Sequence, residues 1–278
     1  MNVLSTGLAF GESPRWHADR LWVSDMGANE LITVDLDGKR EHVAEIPGMP
    51  MGLGWLPDGR MLIVSSRDGR LLRLEPDGSL APHADLAVLS RFPWSDMAVD
   101  GRGNAYIGNI GFEFGVGEPA PGTLALVTPD GTVRQVADGF GFPNGIAVTP
   151  DNGTLIVAES YAHRLTAFDI AADGTLSNRR VWAELGDGVP DGICLDAGGA
   201  VWYADVPNAN CVRVAEGGAV LRTVTVDRGC FACALGGPDG RTLFVTAAVF
   251  DEQAMTFSGP RTGQVITVDA PEPGVGWP

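Results

Sequence analysis

The sequence predicts an all-β protein, a six-bladed β-propeller made of four-stranded antiparallel blades. Three observations predict this fold. Six segments of similar pattern recur along the 278 residues, each segment is strand-like, and no long helical pattern interrupts them. We expect one propeller domain over residues 1–278.

Each repeat contains a short apolar strand, a turn with Asp or Gly, and a second strand rich in β-branched and aromatic residues. Further strand-like runs follow, which gives about four strands per repeat. The repeats are FGESPRWHADRLWVSD, MPMGLGWLPDGRMLIVSS, PWSDMAVDGRGNAYIGNI, FPNGIAVTPDNGTLIVAES, VPDGICLDAGGAVWYAD and CFACALGGPDGRTLFVTA. Spacings of 39, 44, 49, 47 and 41 residues separate the equivalent positions Ser13, Gly52, Asp96, Gly145, Gly192 and Cys233. Such periods are typical of propeller blades.

The last repeat lacks one strand, and the N-terminal run NVLSTG has no partner of its own. We expect this run to pair with the last blade as its outer strand. That pairing closes the ring and removes an exposed sheet edge.

Composition narrows the class of partner. The net charge of −16 disfavours binding to nucleic acid or anionic lipid, so a small-molecule substrate is expected. No apolar run is long enough for a membrane-spanning helix, and the N-terminus lacks a secretory pattern, which favours a cytoplasmic location. Cys230 and Cys233 form C-x-x-C without a second pair, which is more typical of packed cysteines than of zinc or redox sites.

The positions before each inner strand should ring the mouth of the central channel, because the second strand of each blade returns to the same face. The ring consists of Glu12, Met51, Ser95, Asn144, Asp191 and Ala232. Glu12, Asn144 and Asp191 offer oxygen ligands, and the Ser95 hydroxyl could reach a metal-bound water or a substrate. An all-oxygen set suits Ca²⁺ best among Ca²⁺, Mg²⁺ and Mn²⁺, and Zn²⁺ remains an alternative in an open catalytic site.

Asn144-Gly145 and Asp191-Gly192 would ordinarily indicate hairpin turns. In these two blades, however, PDNG at 150–153 and DAGG at 196–199 already supply the turns. Two carboxylates that converge without a cation raise each other's pKa, because the repulsion between their negative charges destabilises the ionised form. The register therefore predicts one divalent cation held by Glu12, Asn144 and Asp191.

Four loops on the same face, at 111–122, 159–164, 205–210 and 249–263, should line or cover the pocket. The candidate substrate contacts are Trp94, Ser95, Phe112, Phe114, Tyr161, His163 and Arg164. Trp94, Phe142 and Phe231 could form an apolar collar, or could instead pack between blades. No G-x-S-x-G elbow, P-loop or H-E-x-x-H motif is present.

Four motifs carry a resemblance to a known family: GESPRW (11–16), SDMAVDGRGNAYIGN (95–109), FPNGIAVTPD (142–151) and PDGICLDAGGAVWYAD (190–205). Over nearly its full length the chain resembles the senescence-marker-protein/regucalcin/gluconolactonase family of six-bladed propellers. The resemblance implies one divalent metal bound by Glu12, Asn144 and Asp191. It also implies lactone hydrolysis, with Asp191 as general base or water-positioning residue.

The chain departs from the sugar-lactone members before the third blade. Where those members carry an Arg and an Asn for substrate contacts, this sequence has Pro93 and Ser95, with Trp94 between them. We therefore expect a gluconolactonase-like hydrolase whose substrate is less polar than gluconolactone or differently shaped.

Two alternatives come from other classes of function. One is a non-hydrolytic metal-dependent propeller enzyme that catalyses isomerisation or ring opening. The other is a non-catalytic propeller that binds a metal or another ligand. A metal-free propeller of the strictosidine-synthase-like type is disfavoured, because all three expected ligands are present.

Overall fold

Six antiparallel sheets surround a central channel in a computed structural model that describes residues 1–249 and 260–277. The strands of the first three blades and the strand before them are β1 (Asn2–Leu8), β2 (Gly11–His17), β3 (Arg20–Asp25), β4 (Glu30–Val34), β5 (Arg40–Glu45), β6 (Pro50–Trp55), β7 (Met61–Ser65), β8 (Arg70–Leu74), β9 (Leu80–Asp85), β10 (Trp94–Val99), β11 (Ala105–Asn109), β12 (Gly122–Val127) and β13 (Val133–Phe140). The remaining strands are β14 (Pro143–Val148), β15 (Thr154–Glu159), β16 (Arg164–Ile170), β17 (Leu176–Glu184), β18 (Pro190–Asp196), β19 (Val201–Asp205), β20 (Asn210–Val214), β21 (Val220–Thr225), β22 (Gly229–Gly236), β23 (Thr242–Ala248), β24 (Gly263–Asp269) and β25 (Gly274–Val275).

Each group of four strands forms one blade, which confirms the predicted six-bladed fold. Blades 1 to 5 begin at β2, β6, β10, β14 and β18, and blade 6 combines β22, β23 and β24 with β1. The first strand of each blade is the inner one, and the inner strands of neighbouring blades pack against each other around the channel. We call the face at which the inner strands begin the upper face.

The ring closes through the N-terminal strand, as predicted. Strand β1 pairs antiparallel with β24, from Asn2 opposite Thr267 to Leu8 opposite Gly263. Blade 6 thus combines the first strand of the chain with three strands from its C-terminal part, and β1 covers an edge that β24 would otherwise expose.

The hydrophobic core is divided into layers between neighbouring blades. One layer, for example, joins Leu62 and Leu71 of blade 2 to Met97 and Ile107 of blade 3. Equivalent layers occupy the other blade junctions. Because each inner strand packs on two neighbours, its backbone is fixed from both sides.

The segment after β24 crosses the lower end of the channel, which the sequence did not predict. Its two-residue strand β25 pairs with β18, with Val275 opposite Leu195, and Trp277 packs on Gly101 of blade 3. A cavity of about 250 Å³ lies between this segment and the lower halves of the inner strands.

A single turn of 3₁₀ helix, Ser160–Ala162, follows β15 on the upper face. In the part of the chain that the structure describes, no helix is long and apolar enough to cross a membrane.

Candidate active site

An irregularity in each inner strand presents the ring residues. In blade 4 the pairing passes from Pro143 opposite Glu159 to Ile146 opposite Val157, so two residues face one. Such a β-bulge redirects side chains. The other five inner strands carry a register shift at the corresponding place.

The bulges correct one detail of the sequence prediction. The ring residues do not precede the inner strands but lie within them, as the second residue of the strand in blades 1 to 5. Asn144 and Asp191, for example, each follow a proline that opens the strand.

Gly145 and Gly192 follow the ring residues because the inner strands approach each other closely. A Cβ on Gly145 would lie 2.5 Å from the carbonyl oxygen of Asp191, and a Cβ on Gly192 would overlap Ala232. Neither glycine is among the residues with positive φ. These glycines therefore allow backbone contact between blades, and the Asn-Gly and Asp-Gly pairs do not form hairpin turns.

Glu12 and Asp191 are carboxylates whose charges interact within the channel. Burial is the main cause that raises the pKa of Glu12 to about 8, and Glu12 is only 7% exposed. Burial, together with the negative charges of Glu12 and Asp96, raises the pKa of Asp191 well above its usual range. Asp191 Oδ1 is buried and has no hydrogen-bond partner among the described residues. A buried carboxylate oxygen of this kind lacks the compensation that a cation would provide.

The amide of Asn144 is oriented by a buried serine. Ser160 Oγ donates to the carbonyl oxygen of Pro190 at 2.7 Å, so it accepts a hydrogen bond from Asn144 Nδ2, at 3.3 Å. This assigns the nitrogen end of the amide to Ser160. Asn144 also hydrogen-bonds the Asp191 carboxylate, which offsets part of the rise in the Asp191 pKa. The oxygen end, Oδ1, remains the atom of Asn144 suited to a cation.

Beside these residues, Asp96 and Arg15 form an ion pair between blades 3 and 1. Asp96 Oδ1 accepts hydrogen bonds from Arg15 Nη2 at 2.9 Å and from Ser13 Oγ at 3.1 Å. Asp96 also lies close enough to raise the pKa of both Glu12 and Asp191. With all groups ionised, three carboxylates face one guanidinium, and one divalent cation would balance the difference.

The donor set therefore fits a divalent cation. Glu12, Asn144 and Asp191 supply two carboxylates and one amide oxygen, which are ligands that Ca²⁺ prefers. Among residues 1–249 and 260–277, no group of three or more His, Cys, Asp or Glu side chains is arranged to hold a metal ion. The fit thus depends on the amide as the third donor.

Three buried carboxylates hold the segments that lead into Glu12, Asn144 and Asp191, and sequence reasoning missed them. Asp25 accepts hydrogen bonds from Ala9 N at 2.9 Å and Phe10 N at 2.6 Å, just before Glu12. Glu159 accepts from Gly141 N at 2.8 Å before Asn144, and Asp205 from Val189 N at 3.3 Å before Asp191. Each is the last residue of the second strand of its blade. The signal was the acidic residue that ends WVSD, IVAE and WYAD in the aligned repeats.

Glu159 is the most strongly bonded of the three. It is fully buried and accepts hydrogen bonds from Arg164 Nε at 2.9 Å and from Thr166 Oγ1. Burial opposes its ionisation, but the bonds from Arg164, Thr166 and Gly141 outweigh burial and lower the pKa of Glu159.

The predicted substrate contacts before and within blade 3 are engaged with the protein. Trp94 is 1% exposed and packs into the core between blades 2 and 3, which argues against contact with a substrate. Ser95 Oγ donates to the carbonyl oxygen of Pro143 at 3.1 Å and accepts from Asp96 N at 2.6 Å. The Ser95 hydroxyl therefore joins blades 3 and 4.

The predicted contacts in the upper loops separate into an aromatic cluster and two engaged polar groups. Phe112, Phe114 and Tyr161 all lie around Phe142. His163 Nδ1 contacts the carbonyl oxygen of Gly188 at 2.9 Å, and Arg164 pairs with Glu159. Most of the predicted loop 249–263 lies outside the described residues.

The cysteines are free thiols in the core between blades 5 and 6. Cys194 Sγ lies 3.7 Å from Cys233 Sγ, and burial raises the pKa of both thiols well above the usual range. The C-x-x-C pair, Cys230 and Cys233, is packed within β22.

Comparison with known proteins agrees with this architecture. The family described as SMP-30/Gluconolactonase/LRE-like region matches residues 10–249. The pentonolactonase XacC of Haloferax volcanii is 30% identical over 254 residues, which cover 88% of this chain and 84% of that protein. Regucalcin of Xenopus laevis is 32% identical over 258 residues, which cover 88% of this chain and 85% of regucalcin.

A solved structure shows the same fold. The calcium-binding protein regucalcin from Agrobacterium tumefaciens superimposes with a TM-score of 0.82 at 24% identity, covering 99% of this chain and 94% of that one. The family match over residues 10–249, together with the six-bladed fold, establishes that the chain belongs to the SMP-30/gluconolactonase/LRE-like family.

Proposed function

We propose that the protein is a metal-dependent lactonase that hydrolyses a small cyclic ester. The observation that carries the proposal is the buried Oδ1 of Asp191, which has no hydrogen-bond partner in the described structure and interacts electrostatically with Glu12. The lactonase names among the relatives support the reaction class.

Glu12, Asn144 and Asp191 would hold one divalent cation, and the oxygen donors favour Ca²⁺ over Zn²⁺. When bound, the cation supplies positive charge that stabilises the oxyanion developing on the ester carbonyl. Ser160 keeps the Asn144 amide in the orientation that offers its oxygen. Asp25, Glu159 and Asp205 hold the three ligand-bearing segments in place.

Asp191 would act as the general base. Its Oδ1 would accept a proton from the attacking water as the new C–O bond forms. The same proton would then pass to the ring oxygen when the ester bond breaks, so the product is a hydroxy acid. Glu12 is buried, and Asp191 is half-buried with its Oδ1 shielded from bulk water, so screening of these charges by solvent is reduced.

The test is hydrolysis of a varied lactone panel after chelation and re-addition of Ca²⁺, Mg²⁺, Mn²⁺ or Zn²⁺. We expect activity to disappear on chelation and to return best with Ca²⁺. Asp191→Asn should lower kcat at least about 100-fold. The control Asp187→Asn, at an exposed position, should keep the kcat of the wild type. Full activity of folded Asp191→Asn would refute the assigned role.

Isotope incorporation separates hydrolysis from the alternatives. In H₂¹⁸O, a lactonase places one labelled oxygen in the product carboxylate. A product without label would indicate isomerisation or non-hydrolytic ring opening, and metal binding without turnover across the panel would indicate a binding protein.

A further inference from the structure

We infer that the substrate is a lactone with an apolar alkyl or aryl substituent, not a polyhydroxylated sugar lactone. This inference rests on the proposed function and concerns the same site. It follows from two apolar clusters on the upper face, and from the engagement of three polar side chains, Ser95, His163 and Arg164, on the same face.

The first cluster reaches the ring itself through Met51. Phe10, Met26, Phe231 and Ala248 form its buried part, and Met51 packs against them with two further residues. The rings of Phe10 and Phe231 are 4.2 Å apart. These residues come from blades 6, 1 and 2, and Met51 is the ring member of blade 2. A thioether therefore occupies a ring position where blades 1, 4 and 5 carry oxygen donors.

The second cluster is centred on Phe142, two residues before Asn144. Its ring centroid lies 4.8 Å from that of Tyr161, 5.6 Å from that of Phe114 and 5.9 Å from that of Phe112. Phe142 has φ of +61°, a conformation that is uncommon for bulky residues. The fold thus holds an aromatic ring beside a proposed ligand at the expense of local backbone strain.

Three polar side chains on the upper face already have partners in the protein. The Ser95 hydroxyl donates a hydrogen bond to the carbonyl oxygen of Pro143 and accepts one from the backbone amide of Asp96. Arg164 is paired with Glu159, and His163 contacts the carbonyl oxygen of Gly188. Sugar hydroxyls placed against methionine and phenylalanine would lose hydrogen bonds to water without replacement, which weakens binding roughly tenfold or more for each hydroxyl buried.

An alkyl substituent, by contrast, gains binding free energy when it leaves water for these apolar side chains. Each methylene that leaves water for an apolar wall improves binding about fourfold. Methionine adapts to substituents of different shape, and aromatic rings offer broad contact surfaces. The members of the two clusters that remain accessible, Met51, Phe142 and Tyr161, therefore suit a chain of several carbons attached to the lactone ring.

The experiment compares γ-butyrolactone, γ-hexalactone, γ-nonalactone and D-glucono-1,5-lactone with the metal that supports activity. We expect kcat/KM to rise with chain length and to be at least about 100-fold higher for γ-nonalactone than for γ-butyrolactone. A preference for D-glucono-1,5-lactone, or no gain with chain length, would overturn the inference while leaving the lactonase proposal intact.

Binding of lactams, which resist hydrolysis, keeps the inference testable without turnover. Calorimetry should show that 5-pentylpyrrolidin-2-one binds the Ca²⁺-loaded protein more tightly than D-gluconolactam. That result in a protein inactive on every lactone would refute the reaction but support the apolar ligand. Equal binding, or no binding of either lactam, would overturn the inference.

Two substitutions test which residues confer the preference for long-chain lactones. Met51→Ser and Phe142→Asn should each lower kcat/KM at least tenfold more for γ-nonalactone than for γ-butyrolactone. Asparagine is chosen at 142 because it tolerates positive φ. The matched control is Leu36→Ser, an exposed apolar residue in the β4–β5 turn, which should leave both activities unchanged. An equal loss on both substrates would assign Met51 and Phe142 to folding and overturn their role in recognition.

Discussion

Replacing Glu12 with glutamine should stabilise the metal-free protein at alkaline pH and remove one ligand of the proposed cation site. Burial raises the pKa of Glu12 from 4.5 to about 8, so the folded state binds this proton more tightly than the unfolded chain does. The associated stability is complete below the unfolded pKa and is lost as the pH rises towards 8. In metal-free protein, Glu12 thus lowers the free energy of unfolding between these two values.

The magnitude follows from that displacement. At about 1.36 kcal/mol per pH unit, ionisation of Glu12 lowers the free energy of unfolding by up to about 4 kcal/mol at pH 8. Glutamine removes the charge but still buries a polar amide, which reduces the gain to about 2 kcal/mol. For a chain near this size, we expect Tm to rise by about 4–8 °C.

Thermal unfolding in EDTA and in Ca²⁺ at pH 5 and pH 8 provides the assay. In EDTA, Glu12→Gln should exceed the stability of the wild type at pH 8 and fall about 1 kcal/mol below it at pH 5, where most of the carboxylate penalty is absent and the amide penalty remains. Ca²⁺ should stabilise the wild type by about 2.7 kcal/mol at a concentration of 100 times Kd, and should have little effect on the variant. The exposed control Glu184→Gln should change neither value. A Glu12→Gln protein less stable than wild type in EDTA at pH 8 would show that the fold itself compensates the carboxylate.

Two further substitutions test how the site is held. Glu159→Gln removes the charge of a buried carboxylate and replaces one of its two acceptor oxygens with a donor NH₂, so we expect a loss of about 2–3 kcal/mol of stability in chemical denaturation and about tenfold weaker Ca²⁺ binding in calorimetry. The same change at the exposed Glu184 should leave both unchanged. Gly145→Ala would force a Cβ against the backbone of Asp191, so we expect a loss of about 2–3 kcal/mol of stability and weaker Ca²⁺ binding. The control is Gly199→Ala, where nothing lies within 4 Å of the added Cβ. It should cost about 1 kcal/mol of stability and leave the Ca²⁺ affinity unchanged.

The blade count and ring closure could be predicted because they depend on a period and on one missing strand. Both features persist in sequence even when side chains vary. The bulges could not be predicted in the same way. Their signal was the glycine after Asn144 and Asp191, and a glycine there is equally compatible with a turn. Only the distance between neighbouring inner strands shows that it serves close packing.

Other features lacked a distinctive local pattern. The aromatic Trp94 beside a ring position is compatible with a collar or with the core, and the choice depends on how blades 2 and 3 meet. Strand β25 has two residues in a Pro/Gly-rich segment, so its pairing is determined by the sheet that it joins. Asp25, Glu159 and Asp205 were visible as repeated acids, but their role became clear only from the backbone amides they accept.

The order of residues around the ring places the proposed metal ligands and the proposed recognition residue on different arcs. Asn144, Asp191, Ala232 and Glu12 occupy consecutive blades, so the three oxygen donors share one arc of the ring. Ala232 is the smallest side chain among them and lets the flanking carboxylates interact across it. Met51 and Ser95 form the other arc. The Met51 side chain is apolar, and the Ser95 hydroxyl is hydrogen-bonded to the backbone of Pro143.

Each inner strand is fixed by two neighbours, so a donor on one blade cannot move far without disturbing the next. The donors are therefore already in place before a cation binds, and cation affinity should depend on their charge more than on reorganisation. The identity of a few ring side chains then sets two properties separately. Substitutions at Glu12, Asn144 or Asp191 should alter metal affinity and turnover together. Substitutions at Met51 should alter the choice of substrate while the metal affinity remains the same.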